Sequence, residues 1–285
     1  MKLLRVGPPG RERPAVLGRD GRLRDASGVV RDIDGALLSS PWHLQQLAAT
    51  AATLPLARPG QRIGSPVARP GKVVGIGLNY GDHAVEAGLT LPDSPVVFLK
   101  APSAVVGPFD DICLPPGSSA TDWEVELGVV VGRPLSRCSS ADEALAAVAG
   151  YLAADDVTER TLAADGPTWA KGKCSDTFLP LGPWLVTPDE VPDPQALALS
   201  LSVNGRLRQS SSTKQMAVGV GELLCYVSSL MTLEPGDLLL TGTPGGVGLA
   251  SGTFLRDGDV VELEVEGLGQ QRNVVVADAV SQPLL

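Results

Sequence analysis

The chain of 285 residues carries 32 acidic and 23 basic side chains, a formal net charge of −9, with 44% hydrophobic and 19% charged residues. That is enough apolar chain for one large core or two modest domains, and the negative field disfavours nucleic acid and anionic lipid as partners. The apolar start, Met1 to Val6, meets Gly-Pro-Pro-Gly far short of a signal sequence or membrane span, so a cytoplasmic protein with no membrane association is expected.

Residues 3–24 alternate short apolar runs with turn chemistry at Gly-Pro-Pro-Gly and Arg19-Asp20-Gly21, which predicts short strands. Residues 34–54 are rich in Ala and Leu and predict helix, with Pro41 either breaking it or opening a first turn. The Pro, Gly and Arg of 55–71 show no apolar period and read as a linker, which places a boundary near Arg69 between a small N-terminal α+β domain, 1–68, and a larger domain, 69–285. Beyond it come strand-length runs at 73–76, 96–99, 125–131, 198–203, 238–240 and 260–265, with helices expected at 82–86, 140–149 and 220–231. The fold class is therefore α+β and strand-rich. Cys113, Cys138, Cys174 and Cys225 show no paired spacing and read as reduced thiols. With His43 and His83 the only histidines, a metal would need oxygen ligands.

In Asp122-Trp123-Glu124-Val125-Glu126-Leu127-Gly128, strand alternation points Glu124 and Glu126 the same way and Trp123, Val125 and Leu127 the other. On its own this describes a half-exposed strand with a solvated acidic face. It also describes a hard-cation site, since adjacent like charges repel unless a cation or a shared proton relieves them. Asp155 or Asp156, after an apolar stretch, supplies a third carboxylate for such a site, or else a cap or turn. Earlier in the chain, His83 and Glu86 are three apart and would neighbour each other on a helix, either as a surface pair of little consequence or as an arrangement that makes an imidazole basic enough to deprotonate water. The Gly75-x-Gly77 pair lacks the spacing of a dinucleotide loop. Lys173 lies in a loop-like stretch and reads as a solvated cation or as a group that binds a substrate carboxylate or enolate. Thr241-Gly242-Thr243-Pro244-Gly245-Gly246 follows a strand and reads either as a tight strand-end turn or as a loop whose amides and hydroxyls cradle a carboxylate.

The order of these segments resembles the fumarylacetoacetate hydrolase family: Asn79-Tyr80 before His83, Asp122 to Leu127, Asp156-Val157, Gly172-Lys173 to Pro183, and Thr241 to Gly248, with the likeness running from about Gly71 to Ala277. The likeness is to the bacterial branch with a small N-terminal domain, which includes ureidoglycolate lyase-like and 2,4-diketo-3-deoxy-sugar-acid hydrolase-like members. It implies a mixed β-sandwich roll, a homodimer, and Mg2+ or Mn2+ held by Glu124, Glu126 and Asp156. It also implies a His83–Glu86 dyad that activates water, an active-site Lys173, and substrate contacts from Gln209 and Thr243, with Tyr80, Lys100 and Asp176 as further candidates. The implied activity is hydrolysis of a carbon–carbon bond in a small 2,4-dioxo acid through a metal-chelated enolate. Oxaloacetate decarboxylation, 2-hydroxydienoate isomerisation and a non-catalytic metal- or ligand-binding role stand as alternatives. Two positions depart from the family pattern: Asp155 stands where Asn is common, and Cys174-Ser175 stands where Gly or Ser and then Phe follow the lysine.

Overall fold

The structure, a computed structural model, describes residues 1–277. Strands β1 (Lys2–Val6), β2 (Arg13–Leu17) and β3 (Leu23–Asp25) form an antiparallel meander, as the turn chemistry predicts. The helical stretch that follows splits into α1 (Gly35–Leu38) and α2 (Pro41–Thr50). Pro41 opens α2 because its missing N–H costs nothing in a first turn, and Ser40 caps the helix. Residues 55–71 contain only β4 (Ile63–Gly64), which pairs with β1, and Arg62 ties this stretch to Asp110 at 2.6 Å and to Glu12 at 3.0 Å.

Next come β5 (Val73–Gly77), α3 (Gly81–Ala87), β6 (Val96–Lys100), β7 (Val105–Val106), β8 (Ile112–Leu114), β9 (Thr121–Asp122) and β10 (Val125–Val131). The helix expected over 140–149 is cut short. Ser140 caps α4 (Ala141–Leu145), and at Val148 the chain enters β11 (Val148–Asp155), which runs antiparallel to β10. The alanines favour helix locally, but the ladder to β10 and the bonds from Gly132 and Arg133 to the Ala147 carbonyl override that preference. There follow β12 (Thr158–Glu159), α5 (Arg160–Ala163), α6 (Ala170–Lys173), β13 (Leu179–Pro180) and β14 (Leu185–Val186). The described chain ends with β15 (Ala198–Val203), β16 (Arg206–Ser212), α7 (Val220–Leu230), β17 (Leu238–Leu240), α8 (Gly248–Ser251), β18 (Val260–Val265) and β19 (Gly269–Ala277).

The strands assemble into two main sheets. One has the order β3-β2-β1-β14-β11-β10-β17-β5-β6, with β4 beside β1; the other is β16-β15-β18-β19-β8. Both mix directions, since β17 runs parallel to β5 and β19 to β8 while their other pairings are antiparallel. The central strands β10 and β11 of the first sheet lie against β15, β18 and β19 of the second. Every residue of β10 is therefore buried, so the half-exposed reading of that strand does not hold, and its glutamates sit inside the protein. One apolar cluster runs through both sheets and includes Leu3, Val16 and Leu47 from before residue 69. Cys138 and Cys225 form a disulfide joining the segment before α4 to α7, which corrects the expectation of four thiols; a separation of 87 residues left no local spacing to reveal it.

Candidate metal centre and active site

Antiparallel pairing sets Val125 opposite Asp155, and the amide of Asp156 donates to the Glu124 carbonyl at 2.9 Å. Asp155 turns its side chain back to accept the Glu124 amide at 2.8 Å, whereas Asp156 faces the glutamates. Carboxylate oxygens of Glu124, Glu126 and Asp156 lie within 4.8 Å of one another, all three residues buried.

Cations press on two of these carboxylates. Lys173, which ends the short α6 rather than lying in a loop, places Nζ 2.6 Å from both Glu124 and Asp156. Lys100, at the end of β6, holds the other Asp156 oxygen at 2.6 Å, and Arg160 bridges Glu124 and Asp122 at 2.7 Å. Burial raises the Glu124 carboxyl, but Lys173 and Arg160 outweigh it and hold the group at about 2. Glu126 differs: among the described residues it has no ion pair, and its hydrogen bond comes from the Gly242 amide at 2.8 Å. Burial, then the charges of Asp156 and Glu124, push its carboxyl well above the usual range. Lys100, Lys173 and Arg160 pair with Asp122, Glu124 and Asp156, which leaves the buried Glu126 and Asp155 without an ion pair among the described residues, so that with all five carboxylates ionised the cluster is two positive charges short. The shortfall of two positive charges suits one divalent ion, and an all-oxygen donor set suits Mg2+ or Mn2+.

The glycine-rich turn after β17 does cradle carboxylates, but they are the protein's own. Its amides reach Glu126 from Gly242 and Glu86 from Gly246 at 2.8 Å, and just beyond it Gly248 and Leu249 reach Asp122 at 2.6 and 2.9 Å. Gly246 has φ +100 and its Cα faces the Arg208 carbonyl, so a side chain there would be both strained and blocked. His83 Nδ1 stands 3.6 Å from Glu86, beyond hydrogen-bonding range, and its ring is within electrostatic reach of Glu124. Tyr80 is fully buried, with burial first and Glu126 second raising its phenol.

Gln209 and Thr243 lie together next to β10. Gln209 Nε2 donates to Thr243 Oγ1 at 2.8 Å and to the Pro244 carbonyl at 2.9 Å, while its Oε1 accepts the Val125 amide at 3.0 Å. The Thr243 hydroxyl in turn donates to the Val125 carbonyl at 2.9 Å. Asp176 is exposed in the turn after α6, away from these contacts. Sequence reasoning assigned no role to three residues that build the site: Asp122, Arg160 and Asn79. Asn79 accepts the Val218 amide at 3.0 Å and donates to the Thr241 carbonyl at 2.9 Å, which ties the approach to α3 to the end of β17.

Asp155 offers a test of the charge balance. Its Oδ2 is buried without a partner, and burial, then the neighbouring Asp156 and Glu124, pushes the carboxyl up to about 7 despite the Glu124 amide bond. A carboxyl raised from 3.8 to about 7 on folding loses stability as pH rises through that window. Asp155→Asn keeps an oxygen for the Glu124 amide and removes the charge. In chelator, thermal melts should show the variant more stable than wild type by about 2 kcal/mol at pH 8, with the gap closing toward pH 4. A gap that does not change with pH would contradict this origin.

Residues 72–276 match the family described as "Fumarylacetoacetate (FAA) hydrolase C-terminal". A Burkholderia multivorans protein, provisionally named a hydrolase, is 52% identical over 277 residues, covering 95% of this chain and 97% of its own. The solved fumarylacetoacetate hydrolase of psychrophilic Exiguobacterium antarcticum superposes with TM-score 0.83 at 34% identity, covering 97% of this chain and 99% of that one. Maleylpyruvate hydrolase from Sphingobium sp. SYK-6, solved with manganese(II) and pyruvate, gives TM-score 0.81 at 27% identity, with 97% and 99% covered. A 2-hydroxyhepta-2,4-diene-1,7-dioate isomerase from Mycobacterium marinum gives 0.75 at 32%, with 98% and 99% covered.

Proposed function

The chain belongs to the fumarylacetoacetate hydrolase family, and from that premise we propose that it is a Mg2+- or Mn2+-dependent hydrolase of 2,4-dioxo acids, splitting the C3–C4 bond of an acylpyruvate-type substrate. The observation that carries this reading is the convergence of Glu124, Glu126 and Asp156, buried with carboxylate oxygens within 4.8 Å of one another. Glu124, Glu126 and Asp156 would hold a divalent ion, which would supply Lewis-acid stabilisation for negative charge developing on a bound 2-oxo acid.

His83 removes a proton from water, and the water oxygen adds to C4. The C3–C4 bond then breaks: its electron pair passes into an enolate of the pyruvate fragment, and the acyl fragment leaves as a carboxylic acid. Protonation at C3 yields the 2-oxo acid. Glu86, fixed by the Gly246 amide, stands on the Nδ1 side of His83 and favours the imidazolium that forms. Lys173 brings a fixed positive charge to the enolate, and Arg160 keeps Glu124 ionised and oriented. The donor hydrogens of Gln209 and Thr243 are spent within the protein, so in this reading both hold Val125, and with it the flanking glutamates, against the substrate wall. Tyr80 and Lys100 line the same buried floor.

The test is a panel of acylpyruvates, oxaloacetate and diketo sugar acids with Mg2+ or Mn2+, read by pyruvate-type product release. Acylpyruvates should turn over with either ion and stop with chelator; no turnover of any of them would overturn the reading. The isomerase likeness at 32% identity favours one second reading, 2-hydroxydienoate isomerisation, which would consume a dienoate chromophore without releasing pyruvate. No helix among the described residues is long and apolar enough to cross a membrane, and we take the working unit to be a cytoplasmic homodimer, which light scattering would check.

A further inference from the structure

We infer that Trp169 and Phe98 form an apolar wall that selects substrates with an unsaturated or aromatic tail over polyhydroxylated ones; this rests on the oxo-acid reading above. The two rings meet edge to face at 5.5 Å. Phe98 borders the charged centre, with Lys173 Nζ 4.9 Å from its ring centroid and 2.6 Å from Glu124 and Asp156. Trp169 is 39% exposed, so the ring pair reaches from beside Lys173 to solvent and offers an apolar face to the tail of a substrate held at the carboxylates.

Two glycines of β5 make this possible. A Cβ on Gly75 would collide with the Phe98 ring, and one on Gly77 would come within 2.5 Å of the Trp169 ring. The wall is also coupled to the catalytic lysine, because Trp169 caps α6 and its carbonyl accepts the amides of Gly172 and Lys173 at 2.9 and 3.1 Å. From Gly77 the chain runs on into α3, which carries His83, so the indole stands between the strand leading to the base and the helix carrying the lysine. A half-exposed indole gains by covering with a flat apolar group, whereas a polyol tail would lose water there without gaining partners.

The probe set is pyruvate, phenylpyruvate and 2-oxogluconate, titrated calorimetrically into the magnesium-loaded protein. Phenylpyruvate should bind about 10-fold tighter than pyruvate, and 2-oxogluconate no tighter than pyruvate. Trp169→Ala should bring the ratio of phenylpyruvate to pyruvate affinity down to about one, and Trp169→Phe should keep most of that ratio. Equal affinities in wild type, or an advantage that survives Trp169→Ala, would overturn the wall while sparing the oxo-acid reading. Failure of pyruvate itself to bind would overturn both.

Discussion

Glu126→Gln should abolish magnesium-dependent turnover, by about 1000-fold or more if metal chemistry supplies the several kcal/mol ordinarily credited to it, while making the metal-free protein more stable. The two effects have one cause. Glu126 is 1% exposed, has no ion pair among the described residues, and faces Asp156 and Glu124. Without an ion its negative charge is buried and repelled, which is why its carboxyl is driven upward; a folded value raised above 4.5 means that stability is lost as pH rises past 4.5. Glutamine keeps an oxygen for the Gly242 amide and drops the charge, so melts in chelator at neutral pH should rise by about 1–2 kcal/mol. Adding Mg2+ should then raise the melting temperature of wild type and leave the variant unmoved. Arg160→Met makes an instructive contrast: it leaves Glu124 and Asp122 with less compensation, so it should lower stability in chelator where Glu126→Gln raises it. A Glu126→Gln protein that is destabilised in chelator would mean the cluster is already neutral and that no divalent ion is needed.

How far the sequence could be read depended on whether the determining partner was local. Strands β10, β15, β17 and β18 follow from their own apolar runs and begin and end at the residues predicted. Strand β11 was half hidden, because a strand buried on both faces and built from Ala, Gly and Leu shows no alternation, and its first residues look like the tail of α4. Strand β16, Arg-Leu-Arg-Gln-Ser-Ser-Ser, has weak β propensity and owes its place to the ladder with β15. The site divides the same way. The spacing of Glu124 and Glu126 is a local pattern, but the choice between solvated face and buried site depends on the second sheet covering β10, which lies outside the strand's own sequence. Asp122 and Arg160 are 38 residues apart and Asn79 and Thr241 are 162 apart, so nothing in either neighbourhood marks them as partners. On the family pattern, Cys174-Ser175 loses an aromatic beside the substrate and so bears on substrate identity. In the fold Cys174 Sγ accepts the Ala101 amide at 3.2 Å and so faces the backbone beyond β6, while the nearby aromatic surface comes from Phe98 and Trp169.

His83→Ala should lower hydrolysis by about 100- to 10,000-fold, the usual range for a lost general base, and leave the magnesium affinity within about 2-fold, since His83 is not among the clustered carboxylates proposed to hold the ion. Glu86→Gln should cost less. Its carboxylate is 3.6 Å from Nδ1 and anchored by Gly246, and the amide keeps an oxygen for that anchor while losing the charge that favours imidazolium. The two variants also separate the enzymatic readings. Hydrolysis needs a base for water, whereas decarboxylation of oxaloacetate needs only an electron sink at C2, so a decarboxylase should keep most of its activity in His83→Ala. Measuring acylpyruvate cleavage and oxaloacetate decarboxylation on one preparation therefore gives a ratio that mere misfolding cannot produce. Collapse of cleavage with decarboxylation preserved assigns His83 to the water. Preservation of both would remove the dyad from the mechanism, and loss of both with magnesium binding intact would point to His83 handling the proton at C3 instead.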